Sequence, residues 1–226
     1  ADELGRAFPN TRVVVSDGTH PVTELDARPA LVIATRGAEP FVPGGYRAVL
    51  LLDGDKMLLA EQLRIGEACL RWWSNAAALA APGAPVHLVG VTGPVARALA
   101  TWTQAAYARS ELAARAPLHM PPVVRVAAVE GTTTAVSAAL AQLRADVPEL
   151  ADTAVLGPVP TGDEVVRALV RFEYALGKPV ADSLRASVIA EALKGRRAAA
   201  RGRAEQKPTA PRTTLRVRLD VPELDL

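Results

Sequence analysis

The sequence predicts a mixed α/β chain in two parts, a domain built on a parallel sheet followed by a small α+β domain. Three observations predict it. Short β-branched apolar runs alternate with helical patterns through residues 1–116; the segment Ala116 to Pro122 (APLHMPP) then stops that alternation with three prolines; and residues 117–226 begin a second βα alternation of their own.

In the first part, Arg12 to Ser16, Ala30 to Thr35, Ala48 to Asp53 and Val86 to Val91 read as strands. They are continuous rather than alternating apolar runs, the pattern of parallel strands buried on both faces. Glu61 to Ala80 reads as the helix joining the third run to the fourth, and Pro94 to Arg115 as a second helix opening with proline in its first turn. The layout is doubly wound. Between Ser16 and Ala30, however, the segment is too short and too broken by Pro21 and Pro29 for an ordinary crossover helix, so that connection is expected to be degenerate.

In the second part, Val123 to Val129 reads as a strand, Thr134 to Arg144 as a helix, Thr153 to Leu156 and Val165 to Leu176 as strands, and Val180 to Arg197 as a helix. Thr214 to Leu219 (TLRVRL) alternates apolar and polar residues, so it should be a half-exposed last strand. Two β-α-β runs in this length suggest an α+β sandwich of the ferredoxin-like type. Gly195 to Thr213, between the last helix and strand, is basic and rich in Ala and Pro, and is expected to be mobile.

Half of the 226 residues are hydrophobic, enough for packed cores and against wholesale disorder. No apolar run approaches the roughly 18 to 20 residues that span a bilayer, and none follows a basic N-terminal region as in a signal peptide. The chain opens Ala-Asp-Glu-Leu without Met, as an internal cut in a longer protein would. The single cysteine, Cys69, excludes an internal disulfide and a cysteine-based zinc cluster, which fits a reducing cytoplasm.

Charge is distributed unevenly. Residues 1–184 carry a net of −3, residues 185–218 hold ten basic side chains against Glu191 and Glu205, and the last eight residues return −3. A cluster of that density attracts anions although the whole chain is only +2.

Seven short segments, in order along nearly the whole chain, carry a family resemblance. They are Glu3-Leu4 with Ala7-Phe8-Pro9, Leu51-Leu52-Asp53-Gly54-Asp55, Arg64 to Glu67, Met120-Pro121-Pro122, Leu156-Gly157-Pro158-Val159-Pro160, Arg171-Phe172, and Leu219-Asp220-Val221-Pro222. In this order they resemble the C-terminal part of the PriA (primosomal protein N′) family of replication-restart proteins. The resemblance implies a RecA-like second helicase lobe over residues 1–116, followed by the family's C-terminal domain over 117–226. It also implies DNA forks and single strands, other primosome proteins and the tail of single-stranded DNA-binding protein as partners, with no membrane. Zinc would belong to the region upstream of this chain.

The departures from the family pattern bear on catalysis. An active helicase of this family carries Q-x-x-G-R-x-G-R where this chain reads Asn75 to Pro82 (NAAALAAP), so both arginines that would stabilise phosphoryl transfer are replaced. The motif G-T-Q-M-x-x-K-G-x-x-F is represented by Ala34 to Phe41, without its Lys-Gly. The resemblance therefore implies a degenerate, helicase-dead branch of high-GC bacteria, with no cofactor in this chain, no ATP binding and no catalytic residue. Two alternatives stand beside it. An ATP-dependent 3′-5′ helicase would show ATPase activity on forked DNA, and a small-molecule α/β enzyme would need a convergent polar pocket at the strand ends, for which no nucleophile and base pair is visible.

Other constellations are weak. Asp53 and Asp55 could hold Mg²⁺ but lack any phosphate loop beside them, and read as a strand-end turn. Val91-Thr92-Gly93-Pro94 opens a helix with one glycine and no lysine. His20, His87 and His119 have no metal or relay spacing. Trp72, Trp73, Trp102 and Tyr107 lie on helices and read as core, with one exposed Trp able to stack on a base. The basic tract remains, read either as a solvated loop or as phosphate contacts. With Arg171, its candidate DNA contacts are Lys194, Arg196, Arg197, Arg201, Arg203, Lys207 and Arg212; Arg185 is the candidate for partner binding.

Overall fold

The computed structural model describes residues 6–162, 164–202 and 215–221, and for 196–202 the backbone alone. The chain divides into two compact units, residues 1–110 and 111–226. Among the described residues no helix is long and apolar enough to cross a membrane.

The first unit contains β1 (Val13–Ser16), β2 (Leu31–Ala34), β3 (Val49–Leu51), α1 (Gly54–Leu58), α2 (Ile65–Ala77), β4 (Val86–Leu88), α3 (Gly93–Ala100) and the start of α4 (Gln104–Arg115). The strands are parallel, as expected, but they form two separate pairs, β1 with β2 and β3 with β4, rather than one doubly wound sheet. Nor are they buried on both faces: Leu50 is 61% exposed while its neighbour Leu51 is 8% exposed. The connection between β1 and β2 supplies no covering helix for that pair either. Residues 17–30 form no helix, and instead Asp17 Oδ1 accepts the Thr19 and His20 amides at 2.8 and 2.7 Å. These bonds, with the Thr19 hydroxyl first among them, hold the Asp17 carboxyl down at about 2. A parallel sheet without crossover helices on one face leaves that face uncovered.

The helices are also shorter than the pattern suggested. The segment expected as one helix from Pro94 to Arg115 is two, α3 and α4, separated by Thr101-Trp102-Thr103. The core of this unit packs α2 and α3 on Leu51, with Cys69, Leu70, Trp73, Val95 and Leu99 buried. Burial in this core pushes the Cys69 thiol pKa up.

The second unit runs β5 (Arg125–Gly131), α5 (Thr133–Asp146), β6 (Val155–Pro160), β7 (Val166–Phe172), α6 (Gly177–Gly202) and β8 (Arg216–Leu219). Its sheet is antiparallel throughout, in the order β6-β7-β5-β8. Thr132 caps α5, its hydroxyl accepting the Ala135 amide at 3.3 Å. One face of the sheet, with Ala127, Val129, Val170 and Phe172, buries Val136, Leu143, Val180 and Leu184 of the two helices. In β6, Gly157 takes φ +87° at an irregularity in the pairing, where an added Cβ would lie 2.9 Å from the Arg167 carbonyl oxygen. Only glycine fits there without displacement.

The last helix continues to Gly202, beyond the Arg197 end that the sequence suggested. Residues 195–202, expected in a mobile tract, therefore have helical backbone, because Ala198 to Ala200 and the flanking arginines are strong helix formers that carry the chain past Gly195. The remainder of that tract, from Arg203 to Thr213, lies outside the described residues.

Candidate nucleic-acid interface

Strand alternation decides where the arginines of the second unit go. Val217 packs with the helix-side core, so Arg216 and Arg218, its neighbours in β8, belong to the opposite face. On β7, Leu169 belongs to the apolar cluster of that opposite face, with Val126, Ala128 and Val221. Arg167 and Arg171, two residues either side of Leu169, share its face. Four guanidinium groups from two strands thus stand on one side of one sheet.

Among the described residues, Glu130 is the carboxylate that pairs with them. Glu130 pairs across the sheet with Arg167 on one side and Arg216 on the other. Its Oε1 accepts from Arg167 Nε at 2.6 Å and from Arg218 Nη2 at 3.2 Å. Two guanidiniums share the Glu130 carboxylate, so among the described residues arginines outnumber the carboxylates paired with them on this face. Arg167 and Glu130 are largely buried, whereas the Arg218 side chain is 62% exposed. Arg216 is also exposed. Arg171 is more committed, for its Nη2 donates to the Thr153 carbonyl at 3.2 Å, and its buried Nε has no partner among the described residues.

β8 is an edge strand. It is fastened at its end by Arg125, whose Nε and Nη2 donate to the two carboxylate oxygens of Asp220 at 2.8 and 2.7 Å, while the same guanidinium lies 5.5 Å from the Phe172 ring centroid. The clamp raises the Arg125 pKa and lowers that of Asp220, chiefly through the hydrogen bonds between them.

The candidates read from the sequence do not gather in one place. Arg171 is on the sheet face turned away from the helices. Arg185 and Lys194 are exposed on α6, and nine residues at about 100° each put them on roughly opposite sides of that helix. Lys194 pairs with Glu191 at 3.5 Å. Arg196, Arg197 and Arg201 lie on α6 where the structure describes only backbone, and Arg203, Lys207 and Arg212 lie outside the described residues. Arg167, Arg216 and Arg218 were not singled out as contacts. Their signal was the spacing in RALVRF and TLRVRL, which places each pair on one face of its strand, but the pairing that brings β7 and β8 to either side of β5 is not written in the spacing.

At the strand end of the first unit, Asp53 has φ +55° and begins α1, with its Oδ1 held 2.7 Å from Lys56 Nζ. The Asp53 side chain makes no cap hydrogen bond to the helix amides, so the turn is held by this ion pair and by the backbone instead.

Comparison with known proteins agrees with the motifs. The family model described as "Primosomal protein N C-terminal domain" matches residues 116–223, the span that contains the cationic sheet. The chain is 41% identical over 204 residues to the "Probable replication restart protein PriA" of Mycobacterium tuberculosis (strain CDC 1551 / Oshkosh) and 43% identical to that of Mycobacterium leprae (strain TN). This chain belongs to the PriA family, to its C-terminal part. Each alignment covers 83% of this chain and 31% of the relative, so the chain spans about a third of the length of the relatives it matches. The family model begins where the proline cluster closes the first βα alternation, and it ends two residues after the β8 anchor Val221.

Proposed function

We propose that this chain is the non-catalytic C-terminal part of a replication-restart protein, which binds branched or single-stranded DNA and helps assemble the primosome at stalled forks. In this reading residues 1–116 are a degenerate RecA-like helicase lobe. Residues 117–226 are a ferredoxin-like domain that supplies the DNA contacts.

One observation carries the DNA reading. Arg167, Arg171, Arg216 and Arg218 share a sheet face with Glu130 as a carboxylate paired among them, and β8 follows shortly after the basic tract Gly195 to Thr213. Such a surface meets phosphates and reads no bases, so binding would be tolerant of sequence.

The non-catalytic reading rests on what occupies the arginine motif. Leu79 and Pro82 stand where the family's two arginines would be. The segment is used structurally: Tyr46 N donates to Leu79 O, and Ala81 N to Tyr46 O, each at 2.9 Å. Gly45 packs so closely that an added Cβ would lie 2.6 Å from the Ala81 nitrogen. Arg185 is the proposed contact for the acidic tail of single-stranded DNA-binding protein, exposed and without an ion pair among the described residues.

The test is fluorescence anisotropy of the full chain with forked DNA across a salt series. Arg216→Ala with Arg218→Ala should flatten the log-log salt dependence by about 1.4, at about 0.7 per phosphate contact on single strands. An unchanged slope would remove this face from the interface.

A further inference from the structure

Trp102 stands apart from the other two tryptophans of the chain. Trp73 is 3% exposed, Trp72 packs against the core of the first unit with the Arg36 guanidinium 3.7 Å from its ring centroid, and Trp102 is 56% exposed and lies outside the apolar cluster of that unit.

Its backbone is as unusual as its exposure. Trp102 has φ +55°, the left-handed region in which a bulky side chain is an outlier. The hydrogen bonds around it explain how it is held. Thr103 N donates to Ala98 O at 2.9 Å and Trp102 N to Leu99 O at 3.2 Å, the paired closure that ends a helix with a left-handed residue and that ordinarily takes glycine. The Thr101 hydroxyl donates to Arg97 O at 2.8 Å and lies 2.8 Å from the Thr103 hydroxyl, while Thr103 O accepts the first amides of α4 from Ala106 and Tyr107. The turn is fixed on both sides. A residue type that opposes its own backbone conformation, at a position where its side chain stabilises no core, is the kind of local conflict that accompanies a functional site.

The charge of the local sequence, between Glu67 and Glu111, suits an anionic ligand. Residues 68–110, which carry this turn, contain three arginines and no Asp or Glu, so nothing in that stretch repels a phosphate backbone. We propose that Trp102 is a stacking platform for an unpaired base of single-stranded DNA. This inference rests on the DNA-binding reading above, but on a different unit and a different interaction. Stacking depends on the π-face and is insensitive to salt, whereas the arginine face acts through counterion release.

The experiment uses the full chain with two probes, an oligothymidylate of about 20 nucleotides and the same backbone with abasic sites. Trp102→Gly suits the left-handed backbone, so its unfolding temperature should equal or exceed that of the native chain. Its affinity for oligothymidylate should fall about 5- to 100-fold, with an unchanged salt slope, and Trp102→Phe should restore most of the loss. On the abasic strand the native chain and Trp102→Gly should bind alike. Equal affinity of the two for oligothymidylate, with the native salt slope intact, would overturn the stacking role and leave the arginine face standing. Absence of any DNA binding by the native chain would overturn both.

Discussion

The Arg125–Asp220 clamp joins residues 95 positions apart, and its consequence can be measured by titration. Two hydrogen bonds from the guanidinium favour the ionised carboxyl and hold the Asp220 pKa below its ordinary value, with burial acting the other way. A carboxyl lowered on folding stabilises the fold above its unfolded pKa, near 4, and that contribution disappears as pH falls through the folded value. Asp220→Asn should therefore lower the unfolding temperature at pH 6 to 7, and the gap between the two proteins should close towards pH 2 to 3. With the Asp220 side chain 57% exposed, the effect at neutral pH should be within about 1 kcal/mol. Since Asn also tolerates the left-handed φ of +54° found at this residue, the substitution isolates the charge. A gap that persists unchanged to pH 2 would show that the clamp's charge contributes nothing. Neither partner was legible as a pair in the sequence; Asp220 was visible only within the terminal motif, because distant pairing depends on which strand β8 joins.

Element by element, apolar or alternating runs marked the strands, though β6 shares only Val155 and Leu156 with the expected Thr153–Leu156, and the lengths of the runs misled about burial. Ala48 to Asp53 reads as a strand covered on both sides, but β3 buries Leu51 and exposes Leu50. Periodicity reports what a strand could bury, whereas the element that would cover its second face must come from elsewhere in the chain. Leu51→Ala should cost about 2 to 4 kcal/mol in urea unfolding, and Leu50→Ala under about 0.5 kcal/mol. Equal large costs would mean that both faces are covered in solution. Helix ends were the other source of error. The break at Trp102 had no glycine or proline to announce it, and the extension of α6 to Gly202 ran through a glycine that ordinarily signals an end.

For the whole molecule, charge was the most legible property and its placement the least. The net of +8 over residues 185–218 is plain in the sequence, but that two of its arginines lie on β8, on one sheet face with Arg167 and Arg171 of β7, follows only from the strand order β6-β7-β5-β8. As proposed above, this unit is a DNA-binding module whose affinity comes from phosphate contacts. Its most direct test compares the full chain with a variant in which Arg196, Arg197, Arg201 and Arg203 are all alanine, titrated onto forked DNA between 50 and 200 mM salt, on the order of the range over which counterion release is resolved. The variant should bind more weakly with a log-log slope flatter by roughly two to three units, and its unfolding midpoint should barely move, because alanine is the stronger helix former along α6. Native affinity and native slope in that variant would contradict the account and make the tract a solvated connection.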